Sequence, residues 1–154
     1  MHPDLESCKA ILENENLTCV VKQGDKVLKT TDRGIKPFMQ WIESGENLHG
    51  AVAADKVVGK AAAFLMEKAG ISAVYAAVLS EPAEDVLKNA GIEYKFTHLV
   101  PRIQNRKGDG LCPMESAVME IENAETAFTA LCEKLRAFGA QREQETEKKS
   151  RKNY

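Results

Sequence analysis

The stretch GAVAADKVVGKAAAFLMEKAG, residues 50–70, decides the fold. Its first five residues, Gly50-Ala51-Val52-Ala53-Ala54, carry nothing polar, the pattern of a short strand buried on both faces. Asp55 closes that strand and caps the next element, its carboxylate accepting from backbone N–H groups two or three residues on. Val57, Val58, Ala61, Ala62, Phe64, Leu65 and Ala69 then recur at helical spacing up to Gly70, a residue type favoured just past a helix C-terminus. A strand running straight into a helix puts the helix N-terminus at the carboxyl edge of a sheet, where α/β proteins commonly bind ligands. Lys56 and Lys60, four apart, fall on one side of this helix. Gly59 between them costs about 1 kcal/mol relative to alanine in a helix, so something is expected to pack closely against the backbone there.

Working outward, Ser72–Leu79 (SAVYAAVL) is a second buried strand, and Ser80-Glu81-Pro82 opens a helix over Ala83–Ala90 with Pro82 at its first position. Gly91 ends it, and Glu93–Val100 (EYKFTHLV) alternates as a third strand. A β-α-β-α-β succession requires parallel strands with right-handed crossovers. Upstream, Asp4–Glu13 reads as a helix with Leu5, Cys8, Ile11 and Leu12 on one face. Thr18–Gln23 and Lys26–Thr31, joined by Gly24-Asp25, make a β-hairpin. Ile35–Ser44 is a helix with Pro37 in its first turn and Gly45 as its stop. Downstream come the irregular basic segment PRIQNRKGDG (101–110), a helix start in LCPMESAVMEI, and an amphipathic helix over Ala124–Phe138. The expected architecture is a three-layer α/β/α sandwich with a mixed five-stranded sheet, one domain over 1–140. Residues 141–154 (QREQETEKKSRKNY) are almost without apolar content and read as a disordered tail or a solvated helix extension.

A chain of 154 residues, 44% hydrophobic, can fill one core. Its net charge of -2 argues against a nucleic-acid partner, which needs a clustered basic face. No apolar run approaches the roughly 20 residues that span a bilayer, and the acids of MHPDLESCKAILENEN do not suit a signal peptide, so a cytoplasmic protein is expected. Cys8, Cys19, Cys112 and Cys132 are scattered without a CxxC pair, which is neither a disulfide framework nor a zinc-ribbon spacing. Cys8, Cys19 and Cys132 read as buried thiols.

Cys112 stands apart. It precedes Pro113, which suits helix position N1, with Glu115 at N3 in the manner of a capping box reaching back to the Cys112 N–H. A thiol at a helix N-terminus is favoured as thiolate, with Arg106 and Lys107 close by in sequence to help and Glu115 to oppose. The pair is therefore either a reactive, catalytic group or an ordinary cap. Asp55, Lys56, Gly59 and Lys60 suit an anionic ligand at a helix N-terminus, with a capping aspartate and solvated lysines as the plain alternative. Ser80 and Glu81 end the neighbouring strand and are expected to face Asp55 across the cleft, Glu81 as a candidate acid or base. Arg33 and Gly34 are a weaker anion contact. His49 and His98 read as structural, and His2 is terminal.

The order helix, hairpin, helix, β-α-β-α-β resembles the cytidine-deaminase-like fold. Those enzymes carry H-x-E or C-x-E where this chain has Ala54-Asp55-Lys56-Val57-Val58, and P-C-x-x-C where it has Pro82-Ala83-Glu84-Asp85-Val86. Pro82 matches, but Ala83 and Val86 replace both cysteines, and a catalytic zinc needs three protein ligands. The expectation is a protein without metal or cofactor. More narrowly, A-D-K-V-V-G-K-A-A at Ala54–Ala62, Ser80-Glu81-Pro82 and G-L-C-P-M-E at Gly110–Glu115 resemble a bacterial and archaeal family, domain of unknown function 1893, over about residues 15 to 135. The resemblance implies an architecture and a candidate site, and leaves open whether the protein is an enzyme. The expected function is to bind, or act without metal on, a small anionic metabolite or nucleotide-like molecule, with a homo-oligomer left open. The rivals are a non-catalytic oligomeric interaction module with a vestigial pocket and a redox-sensing thiol protein.

Overall fold

A computed structural model of the chain describes residues 3–32, 34–104, 108 and 110–137. The elements run α1 (Pro3–Asn14), β1 (Cys19–Gln23), β2 (Lys26–Thr30), α2 (Lys36–Glu43), β3 (Val52–Val58), α3 (Lys60–Ala69), β4 (Ala73–Ser80), α4 (Glu81–Asn89), β5 (Glu93–Val100) and α5 (Pro113–Val118). A further helix, α6, is described over 124–137. Phe138 and the tail over 141–154 lie outside the described residues.

The five strands lie in the order β2-β1-β3-β4-β5. β1 is antiparallel to both β2 and β3, whereas β3, β4 and β5 are parallel. The mixed sheet therefore forms as the sequence suggests: a hairpin laid beside two β-α-β units. Side chains alternate between its faces. Val20, Val52, Ala54 and Tyr75 meet Leu5, Cys8 and Leu12 of α1. Val21, Ala53 and Val74 point the other way, into the larger cluster built from α2 to α6. Helices thus cover both faces. α3 lies deepest: Phe64, Leu65 and Met66 are at most 2% exposed, each contributing about 1.5–3 kcal/mol through burial. Gly70 terminates α3 in the left-handed region at φ 80°. Among the described residues no helix is long and apolar enough to cross a membrane.

The central stretch departs from its expectation in one respect that reshapes the site. β3 does not end at Asp55 but continues through Val57 and Val58, whose β-branched side chains favour strand over helix. Asp55 is paired on both sides, opposite Cys19 of β1 and Ala76 of β4. It is thus no helix cap, although its Oδ1 does accept the Val57 N–H at 3.2 Å. Lys56 belongs to the strand and does not share a helix face with Lys60. Gly59 is the N-cap residue of α3, not an interior one.

Candidate functional site

Because β3 runs on to Val58, a cleft opens beside the end of β3 and the start of β1. Its volume is about 620 Å³. Four remote segments line it: Asn16, Thr18 and Cys19 at the start of β1; Thr31, Asp32, Gly34 and Ile35 after β2; Asp55 to Val57 with Gly59, Ala61 and Ala62; and Ile103, Gln104, Cys112, Met114 and Glu115. Antiparallel pairing of β1 with β3 brings Cys19 beside Asp55.

Asp55 lines the cleft with a strongly shifted carboxyl. Burial pushes its carboxyl up from the ordinary 3.8 to about 7, against the opposing pull of hydrogen bonds from the Val57 N–H, the Cys19 thiol and the Lys56 N–H. The Cys19 thiol is itself driven well above 9, by burial first and then by the neighbouring Asp55 charge. It stays S–H and serves Asp55 as a fixed donor. A carboxyl that titrates near neutrality can both release and accept a proton under ordinary conditions.

Glu115 is only 8% exposed, and it is tied to α3 instead of to its own helix. Its Oε1 accepts the Lys60 N–H at 2.7 Å and its Oε2 the Ala61 N–H at 2.8 Å. Two donors that a helix start leaves without intrahelical partners are thereby satisfied from another element. Burial raises the pKa of Glu115, and the two N–H groups and the Lys60 charge work against that rise. The close approach expected at Gly59 is this carboxylate. A Cβ on Gly59 would collide with Glu115 Oε1 and lie 3.0 Å from Ile103 Cγ1. Since φ of Gly59 is −98°, glycine is required there by space and not by backbone conformation. The capping box does not form: the Cys112 N–H donates to the Ile103 carbonyl at 3.1 Å, and the Cys112 side chain makes no cap bond.

Of the residues singled out from the sequence, Asp55, Lys56, Gly59, Gly34, Cys112 and Glu115 share this cleft. Lys56 reaches Asn16 Oδ1 at 3.0 Å from its edge. Lys60 does not line it. Its ammonium group donates to the Met119 carbonyl at 2.7 Å and lies 5.7 Å from the centroid of the Phe64 ring. Ser80 and Glu81 do not line it either. Ser80 is buried as the N-cap of α4, accepting the Ala83 N–H at 3.2 Å, and Glu81 is exposed in the first turn of α4. His98 is exposed on β5, and His49 packs at Gly70, at the far end of α3. Arg33, Arg106 and Lys107 lie outside the described residues. Sequence reasoning missed Cys19 and the wall formed by Ile35, Ile103 and Met114. The one available signal was the pairing of the hairpin with the central strand, which sets Cys19 against Asp55.

Among the described residues no three His, Cys, Asp or Glu side chains are placed to hold a metal ion. Ala83 and Val86 are buried apolar residues and offer no ligand atoms.

A family model described as a domain of unknown function (DUF1893) matches residues 7–135. The crystal structure of a DUF1893 family protein from Thermotoga maritima is similar, with a TM-score of 0.80 and 27% sequence identity, covering 87% of this chain and 92% of that one. No curated protein matches the sequence.

Proposed function

We propose that this chain, which belongs to the DUF1893 family, binds a small nucleotide-like molecule in the cleft above Asp55 and exchanges a proton with it. The observation that carries this reading is the Asp55 carboxyl itself, poised at about 7 on the floor of an apolar-walled cleft. A protonated carboxyl presents one donor and one acceptor; an ionised one presents two acceptors. Those are the complements of the ring-nitrogen and amino edges of heterocyclic bases. Ile35, Val57, Ile103 and Met114 supply the apolar walls against which a planar ring packs. Such walls with a few converging polar groups are the usual make-up of a small-molecule site.

The described lining holds three carboxyl groups, Asp32, Asp55 and Glu115, against the single cation Lys56. The cleft itself therefore favours a hydrogen-bonding ring over a bare anion. Cys112 contacts the ligand from the wall. Glu115, held by two N–H groups, is a positioning residue that fixes α5 against the start of α3. The deaminase-like assignment belongs to the same proposal. It is supported by the strand order and by Pro82 at the start of α4, with Ala83 and Val86 in the places those enzymes give to two cysteines. So does a cytoplasmic setting, which suits four free cysteines.

The experiment is a thermal-shift screen of the wild type and Asp55→Asn against nucleobases, nucleosides and nucleotides. A ligand at 100 times its Kd adds about 2.7 kcal/mol. At least one class is expected to stabilise the wild type and to lose most of that effect in Asp55→Asn. Failure of every class would favour a non-catalytic interaction module.

A further inference from the structure

The cleft does not end the concave surface. Val57, Ile103 and Gln104 also border a second, more open groove of about 550 Å³, whose other boundary is Val78, Val100, Pro101 and Arg102. The two hollows share one wall, and they differ in charge. The first holds three carboxyl groups to one lysine among its described lining residues. Among its described lining residues the second holds no carboxyl group and contains Arg102, which is exposed and makes no ion pair with any described residue. Arg102 stands just beyond β5, at the carboxyl edge of the parallel strands, where α/β sheets receive ligands. On the shared wall Val57 is 45% exposed although it follows Asp55 and Lys56 in a central strand, so an apolar surface links the acidic end to the basic one.

Resting on the reading of the first cleft as a site for a heterocyclic ring, we infer that the ligand is bipartite, with the ring at Asp55 and an anionic tail, phosphate or carboxylate, received by Arg102 in the adjoining groove. The middle of such a molecule crosses Val57 and Ile103, which need only apolar contact. A guanidinium group suits this task because its fork of N–H donors matches the oxygens of phosphate or carboxylate in pairs.

The test is isothermal titration of the wild type, Arg102→Ala and Asp55→Asn with the four common nucleosides, their 5′-monophosphates and their 5′-carboxylates. Arg102 is exposed, so Arg102→Ala should keep the urea midpoint of the wild type, and this serves as the folding control. The expected result is that at least one nucleoside binds the wild type and that adding the anionic group tightens binding about tenfold. Arg102→Ala should lose that increment while keeping its affinity for the uncharged nucleoside, and Asp55→Asn should weaken all three forms. A gain with phosphate alone, or equally with carboxylate, identifies the tail. Equal affinity for charged and uncharged forms, or an increment that survives in Arg102→Ala, overturns the bipartite ligand and leaves the ring site standing. If no compound binds the wild type, the ring site and the inference built on it both fall.

Discussion

Replacing Asp55 by asparagine should change the way stability depends on pH, and by an amount set by the burial of the site. The carboxyl titrates at the ordinary 3.8 when exposed and at about 7 in the folded chain. Between those values the unfolded chain has released this proton while the folded chain still holds it, so stability falls as pH rises. The favourable contribution is complete below about 3.8 and is gone once the pH passes about 7. At 1.36 kcal/mol per unit, the difference across that window is roughly 4 kcal/mol, a large part of the 5–15 kcal/mol that holds a typical domain together. Asparagine keeps a carbonyl oxygen for the Val57 N–H and cannot ionise. The assay is urea unfolding of both proteins at half-unit steps from pH 4 to pH 9. Wild-type stability relative to Asp55→Asn should drop by about 4 kcal/mol over that range, with its steepest fall between pH 5 and 7. Parallel curves would mean that Asp55 is ionised and solvated throughout, and both the raised carboxyl and the proton-exchange role would be wrong.

The contact between α5 and α3 makes a second prediction. Gly59→Ala should cost about 1–3 kcal/mol by driving a methyl group into the Glu115 carboxylate, and Glu115→Ala about 2–3 kcal/mol by leaving two α3 donors without their acceptor. In the double variant the costs should fall short of additive, because the clash disappears with the carboxylate; strict additivity in urea unfolding would refute the contact. Thiol chemistry makes a third. Cys8, pushed up to about 11 by burial, and Cys19, driven well above the ordinary thiol range by burial, should resist iodoacetamide, whereas Cys112 in the cleft wall should be labelled first among the three. A bound nucleotide should slow labelling of Cys112 but not of Cys132. Labelling of Cys8 as fast as Cys112 would remove Cys112 from the accessible wall.

Much of this fold could be read before any coordinates, for a physical reason: its elements are punctuated by residues whose backbone needs are local. Ser80 followed by Pro82 starts α4, Gly70 stops α3 with a positive φ, and Gly24-Asp25 turns the hairpin. The end of β3 was not legible. Ala54-Asp55-Lys56-Val57-Val58 fits a cap leading into a helix as well as it fits a strand, and the choice is made by pairing with Cys19 and Ala76, which are far away in sequence. That single shift moves the cleft toward β1, leaves Ser80, Glu81 and Lys60 outside it and brings Cys19 in. The close approach at Gly59 was readable as a need for space. Its occupant was not, since Glu115 lies 55 residues beyond Lys60 and its apparent local role, capping its own helix, was the more obvious one.

The most direct measurement is a crystal structure of the wild type grown with a nucleoside 5′-monophosphate selected by the titrations. The expected complex has a base edge within hydrogen-bonding distance of the Asp55 carboxyl, ring faces against Ile35 and Met114, and the phosphate at Arg102. A nucleotide bound elsewhere on the molecule, with the Asp55 carboxyl making no contact to it, would contradict the proposed site.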